Sequence, residues 1–165
     1  PTLFFFIGLF IIVGGVIKVG LISNLSEGMI SLTKPSAENM FVTAITTLWF
    51  SAMSSAIVDN IPFVASMIPL VIDTAHAVLP SGTDFKSVVQ HTTLMPVWWS
   101  LALGACLGGN GSPVGASANV ITLGLAEKAG YPISFRKFIA YGIPITIETI
   151  IIATIYVWLR YYAFI

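Results

Sequence analysis

Between Lys86 and Glu127 lie 40 consecutive residues without an Asp, Glu, Lys or Arg, and this run restricts the fold more tightly than any other property of the chain. A hydrocarbon core about 30 Å thick is crossed by roughly 20 helical residues, so the run is too long for one straight span. GGNGSPVGASAN at 108 to 119 sets Gly108, Gly109, Gly111, Pro113 and Gly115 close together, with Asn110, Ser112, Ser117 and Asn119 among them. Lipid offers no hydrogen bonds, so backbone freed from a helix must find partners in protein or in a water-lined cavity. A kink needs one Gly or Pro; a break of this length implies a site.

Three more apolar regions accompany it. Residues 1 to 17 are uncharged up to Lys18. Residues 39 to 58 are an uncharged stretch of 20 leading into VDNIP at 58 to 62, with a further apolar arm to residue 72. Residues 138 to 162 carry only Glu148 and Arg160 as charges. Composition agrees: 7 basic and 7 acidic residues make 8 % of the 165, and 56 % are hydrophobic, whereas soluble domains hold about 25 % charged residues. Too few charges remain to cover a soluble surface. Zero formal net charge removes the basic excess that nucleic-acid binding requires. The single cysteine, Cys106, excludes an intrachain disulfide framework and a multi-cysteine metal site; in its apolar run it reads as a small core residue.

These lengths predict an all-α membrane protein of transmembrane helices with one re-entrant hairpin and one discontinuous helix. The expected order is a helix at 1–20, a helix plus re-entrant hairpin at 38–80 with its tip at 59–62, a broken helix at 93–126 interrupted at 108–119, and a helix at 138–163. The segment from 18 to 37 reads as a mixed loop. With a hairpin, Lys18, Lys34, Lys128, Arg136 and Lys137 share one side against Lys86 and Arg160. Two full spans instead split the positive residues four to three, so the positive-inside rule favours the hairpin, with the larger group cytoplasmic. Pro1 is followed at once by apolar sequence with no basic head or cleavage site, which reads as a piece of something longer.

Asp59 is the sharpest residue. A carboxylate at membrane depth costs several kcal/mol, so such groups mark ion paths, proton relays or buried pairs. The structural alternative is a cap, since Asp before a helix accepts a backbone N–H and Pro is tolerated in the first turn. Thr43, Thr47, Ser51 and Ser55 precede it at four-residue spacing, a small polar stripe suited to close helix packing. In the second break, opened helix ends offer carbonyls to a cation and N–H groups to an anion; Asn110, Ser112, Ser117 and Asn119 add neutral oxygens suited to a hard cation or a hydroxylated solute. Glu148 reads equally as a coupling group, a buried pair or a water-facing residue. Asp73 and His76 read as an interfacial i, i+3 pair, His91 as a loop residue, and Trp98, Trp99, Trp158, Tyr161 and Tyr162 as interfacial anchors.

A DN-P tip followed about fifty residues later by LGACLGGNGSPVGASANVITLGLAEKAGYPISFRKFIAYGIP resembles the C-terminal half of the ion transporter superfamily, near the ArsB/NhaD, P-protein and citrate-transporter-like group. The resemblance implies one of two inverted repeats, with the substrate between hairpin tips. It places Ser55, Asp59, Asn60 and Pro62 at the tip and Gly109, Asn110, Gly111, Ser112, Ser117 and Asn119 in the broken helix. Pro113 stands where related sequences are expected to hold Leu or another apolar residue.

The expectation is therefore a secondary active transporter of a small inorganic ion, Na⁺/H⁺ antiporter-like or arsenite/antimonite efflux-like. It would be a multi-pass protein of the cell (inner) membrane. No cofactor is expected beyond a coupling Na⁺ or H⁺, with Na⁺ at Asp59, Asn60, Asn110 and Asn119. Partners would be the lipid bilayer, a missing N-terminal repeat of the same chain, the ion itself, or a second copy in a homodimer. A non-transporting subunit or truncated half-transporter is the rival reading. An intramembrane protease fits poorly, because the GxGD pattern of membrane aspartyl proteases and the GxSG of rhomboids are both missing.

Overall fold

Asp59 starts a helix because its side chain accepts the Ile61 N–H at 3.2 Å, and Pro62, three residues on, loses no intrahelical bond in the first turn. The computed structural model describes residues 4, 7, 8, 11, 12, 14, 15, 18–36, 40–80 and 83–163. Those described between 4 and 18 are helical; half of the crossing expected at 1–20 lies outside the described residues. Then follow α1 (Leu21–Thr33), α2 (Phe41–Ser55), α3 (Asn60–Val78), α4 (Phe85–Gln90), α5 (Met95–Gly108), α6 (Ser117–Lys128) and α7 (Phe135–Tyr161), with short 3₁₀ turns at Thr92–Leu94 and Gly109–Gly111. No strand occurs among the described residues.

The α2/α5 pair forms the centre. Its register rises together, Gly104 against Leu48 and Gly108 against Ala52, so the two helices run parallel. Small residues at four-residue intervals, Ser100, Gly104 and Gly108 on α5 and Thr47, Ser51 and Ser55 on α2, are all buried there, which lets the backbones touch. The packing role expected of Thr43 and Thr47 is what these positions adopt, and Ser51 and Ser55 are buried along the same face. Thr47 donates to Thr43 O at 2.7 Å, and Thr74 in α3 to Leu70 O at 2.9 Å, so these hydroxyls are satisfied by their own helices. Phe63, Met67, Leu70 and Val71 of α3 join Val97, Leu101 and Ala105 of α5 in the main core. Antiparallel α7 closes the other side, where Ile150 and Ala153 meet Leu48 and Ala52 and Trp49 Nε1 donates to Thr154 Oγ1 at 3.2 Å.

Asn60–Val78 and Phe135–Tyr161 are long and apolar enough to cross a membrane, while Phe41–Ser55 is apolar but shorter. Several residues differ from the sequence reading. The expected loop at 18 to 37 contains α1, bounded by Gly20 and Lys34 in left-handed conformations; Leu21, Leu25, Met29 and Leu32 recur at helical spacing. Cys106 is exposed rather than core, because a helix apolar all round does not reveal its facing. Asp73 and His76 are both exposed and form no pair with each other.

Asp84 caps α4 outside the apolar helices. It accepts the Ser87 hydroxyl at 2.5 Å and the Ser87 N–H at 3.3 Å, and these bonds, the hydroxyl's first, hold its carboxyl below the ordinary value. A carboxyl depressed by folding stabilises above its unfolded pKa and ceases to do so as pH falls through the lowered folded value. Acidification below about pH 4 is expected to release this turn, read as faster amide exchange at Ser87 while the α2/α5 core stays protected.

Candidate functional site

Two breaks in the chain meet. The first follows α2: Ala56 N–H still bonds to Ala52 O, Ile57 and Val58 turn back to Ser54 O, and Asp59 starts α3. The second follows α5, through the 3₁₀ turn Gly109–Gly111 and a turn over 112–115, closed by the Gly115 N–H on Ser112 O, that leads to Ala116, the residue before α6. Ala116 has no side chain with which to cap α6. Asp59 does so from the other break: its Oδ2 accepts both the N–H and the hydroxyl of Ser117, the former at 2.7 Å, while Oδ1 takes the Ile61 N–H. One carboxylate thus bridges the N-termini of α3 and α6. Helix N-termini carry partial positive charge, so they give Asp59 the electrostatic support that no neighbouring Lys or Arg provides.

The remaining bonds brace the same junction. Ser112 donates its hydroxyl to Ala56 O at 2.5 Å and accepts the Gly115 N–H at 3.1 Å. Asn119 Nδ2 donates to Gly109 O at 2.9 Å and Ser112 O at 3.0 Å, satisfying two carbonyls that the break releases. Ser55 donates to Ala105 O at 2.6 Å. Gly115 is required by close approach: a Cβ there would stand 2.6 Å from Gly109 O and 2.8 Å from Ser55 O. Pro62, Gly109 and Gly111 are buried in the same region.

Of the ten residues singled out from sequence, Ser55, Asp59, Ser112, Ser117 and Asn119 are therefore bonded within the chain. Asn60 and Asn110 form no hydrogen bond among the described residues, and Asn110 is exposed. Their side-chain amides are free polar groups beside the junction, each offering one oxygen and two N–H donors. The breaks are also tighter than expected: Asn60 and Pro62 lie in the first turn of α3, Ser117 and Asn119 in the first turn of α6. No cluster of three His, Cys, Asp or Glu residues capable of holding a metal occurs among the described residues.

Sequence reasoning missed the contribution of α7. A Cβ at Gly142 would stand 2.6 Å from Asn110 O and 3.3 Å from Gly111 O, and Thr146 lies beside Gly111, so the second break rests on this helix. Thr146 Oγ1 is buried without a hydrogen-bond partner. The signal was present in YGIPIT, where one Gly interrupts larger residues in a membrane helix. Glu148 is exposed and takes no part in the Asp59–Ser117 contact.

Two of the described helices are long and apolar enough to cross a membrane, and the two chain breaks meet at a polar junction. Residues 1–104 match the family described as citrate transporter, and the chain belongs to that family. It is 47 % identical over 161 residues to an uncharacterized transporter of Mycobacterium bovis, covering 98 % of this chain and 34 % of that protein. It is 44 % identical over 160 residues to a 46 kDa membrane protein of Mycobacterium leprae, covering 97 % and 34 %. It is 35 % identical over 160 residues to the P protein of Homo sapiens, covering 94 % and 18 %. The chain spans about a third of the length of the mycobacterial relatives. No solved structure matches it.

Proposed function

We propose that this chain is one repeat of a secondary active transporter, and that the junction of its two breaks forms half of a substrate site near the bilayer midplane. The observation that carries the reading is the carboxylate of Asp59 joining two helix N-termini at the point where both breaks meet.

Helix lengths support a junction at depth. At 1.5 Å per residue, α2 is about 22 Å long, α5 about 21 Å and α6 about 18 Å, each short of a crossing of about 30 Å. α7, with 27 residues, reaches about 40 Å. Gly142 and Thr146 fall roughly 10 to 17 Å from its start, a distance that supports a junction within the hydrocarbon. In this reading α2 and α3 meet as a hairpin, and α5 and α6 are the halves of one discontinuous span.

The substrate is a small inorganic ion, moved by Na⁺/H⁺ antiport or by arsenite or antimonite efflux. The free amides of Asn60 and Asn110, the remaining oxygen of Asn119 and the Asp59 carboxylate are hard oxygens of the type that coordinates Na⁺; the same amides donate N–H groups to an oxyanion. A second reading, transport of citrate, rests on the family description. Asp59 supplies the coupling. Ionised, it holds Ser117; protonated, it gives up acceptor capacity, and the repeat reorients at lower desolvation cost.

Flux in proteoliposomes holding the full-length protein tests this. Na⁺, arsenite and citrate are each supplied with and without a pH gradient. One of them is expected to move, in a gradient-dependent way. Absence of gradient-dependent flux for all three, in protein that is correctly inserted, removes the proposal.

A further inference from the structure

Far from the Asp59 junction, the last turns of α7 meet the start of α5 around a cavity of about 890 Å³. We propose that this cavity binds an anionic phospholipid, with the lipid phosphate on Arg160 and an acyl chain along Trp99, Tyr156 and Leu159. The inference stands independently of the transport site.

Three observations lead there. The first is an unneutralised cation. Arg160 lines the cavity, forms no ion pair among the described residues and lies against the Tyr161 ring, its guanidinium carbon 5.3 Å from the ring centroid. Guanidinium binds phosphate through a planar fork of N–H donors, in the geometry of a charge-assisted pair. Thr92, on the opposite wall, adds a hydroxyl with no partner among the described residues.

The second observation is level. α7 is apolar enough to cross the membrane and Arg160 lies in its last turn, where headgroups are found. Trp99, Tyr156 and Tyr161 line the same cavity, and Trp and Tyr collect at that boundary. The third is the wall below the charge. Trp99, Tyr156 and Leu159 remain 48 %, 48 % and 39 % exposed, an apolar track leading from the cation toward the membrane interior. A charged donor at one end and an apolar slot beneath it match an amphiphile with one anionic head; basic pockets between membrane helices take lipid headgroups in this way. Inorganic phosphate satisfies Arg160 but leaves the track uncovered.

Native mass spectrometry of the delipidated full-length protein tests the assignment, with phosphatidylglycerol, phosphatidylcholine and inorganic phosphate as separate probes. The expected result is a phosphatidylglycerol adduct preferred over phosphatidylcholine and not displaced by inorganic phosphate. R160Q should lose one such adduct or weaken it about tenfold, the scale of one charge-assisted pair, and Arg160→Lys should recover part of it. Equal binding of the two lipids, unchanged binding in R160Q, or displacement by inorganic phosphate alone would each overturn the proposal. Should R160Q fail to fold, the lipid preference of the wild-type protein and the lysine variant still decide it.

Discussion

Replacing Gly108 by valine is expected to separate α2 from α5 and to destabilise the protein by about 3 kcal/mol or more, the upper end of the cost of overpacking. A Cβ at Gly108 would stand 2.5 Å from the Ala52 Cα and 2.7 Å from its carbonyl carbon. Both atoms belong to helix backbone, so no rotamer change relieves the clash. The whole α2/α5 interface must open, and with it the contact that brings the two breaks together. Gly124 supplies the control, because a Cβ there meets nothing within 4 Å and Gly124→Ala in a helix interior should not lower stability. Thermal unfolding of the full-length protein in detergent, followed by size exclusion, measures both. A Gly108→Val protein as stable as wild type would mean that these helices do not pack at this distance.

The same residues mark how far sequence reasoning reaches. Apolar length and scarce charge made the all-helical membrane class legible, and the clustered glycines between 108 and 115 located a break. The four-residue spacing from Thr43 to Ser55 identified a packing face, because burial along a helix follows periodicity. Facing along α5 was not legible. Its residues are apolar on every side, so Cys106, expected in the core, is exposed, while Gly104 and Gly108 define the contact. The trans cap of α6 by Asp59 was also hidden. Sequence shows Asp59 beside its own helix, and only the parallel docking of α2 on α5 brings Ser117 within its reach. A contact between residues 58 positions apart depends on tertiary register, which local pattern does not encode. Gly142 and Thr146 escaped for the same reason: each looks ordinary in α7 until the second break lies against it.

Replacing Asp59 by Asn is expected to abolish coupled transport while leaving the protein inserted and folded. The amide retains one acceptor oxygen for Ile61 or Ser117 but turns its other end into a donor, which cannot accept the Ser117 N–H and hydroxyl that Oδ2 now receives. The loss is one or two charge-assisted hydrogen bonds, each about 1.5–3 kcal/mol. Ser117→Ala removes the hydroxyl but keeps the N–H bond, so its effect should be smaller. Because the two side chains act on one contact, the double substitution should cost less than the sum of the singles, with a coupling of about 0.5–3 kcal/mol. Stability alone does not separate a helix cap from a coupling group; pH dependence does. If Asp59 takes and releases the coupled proton, residual flux in the Asn variant should no longer respond to a pH gradient. In Ser117→Ala, where the carboxylate remains, flux should stay gradient-dependent although slower. Gradient-dependent flux persisting in Asp59→Asn would reduce Asp59 to a cap and move the coupling elsewhere, with Glu148, exposed near the middle of α7, the next acid to replace.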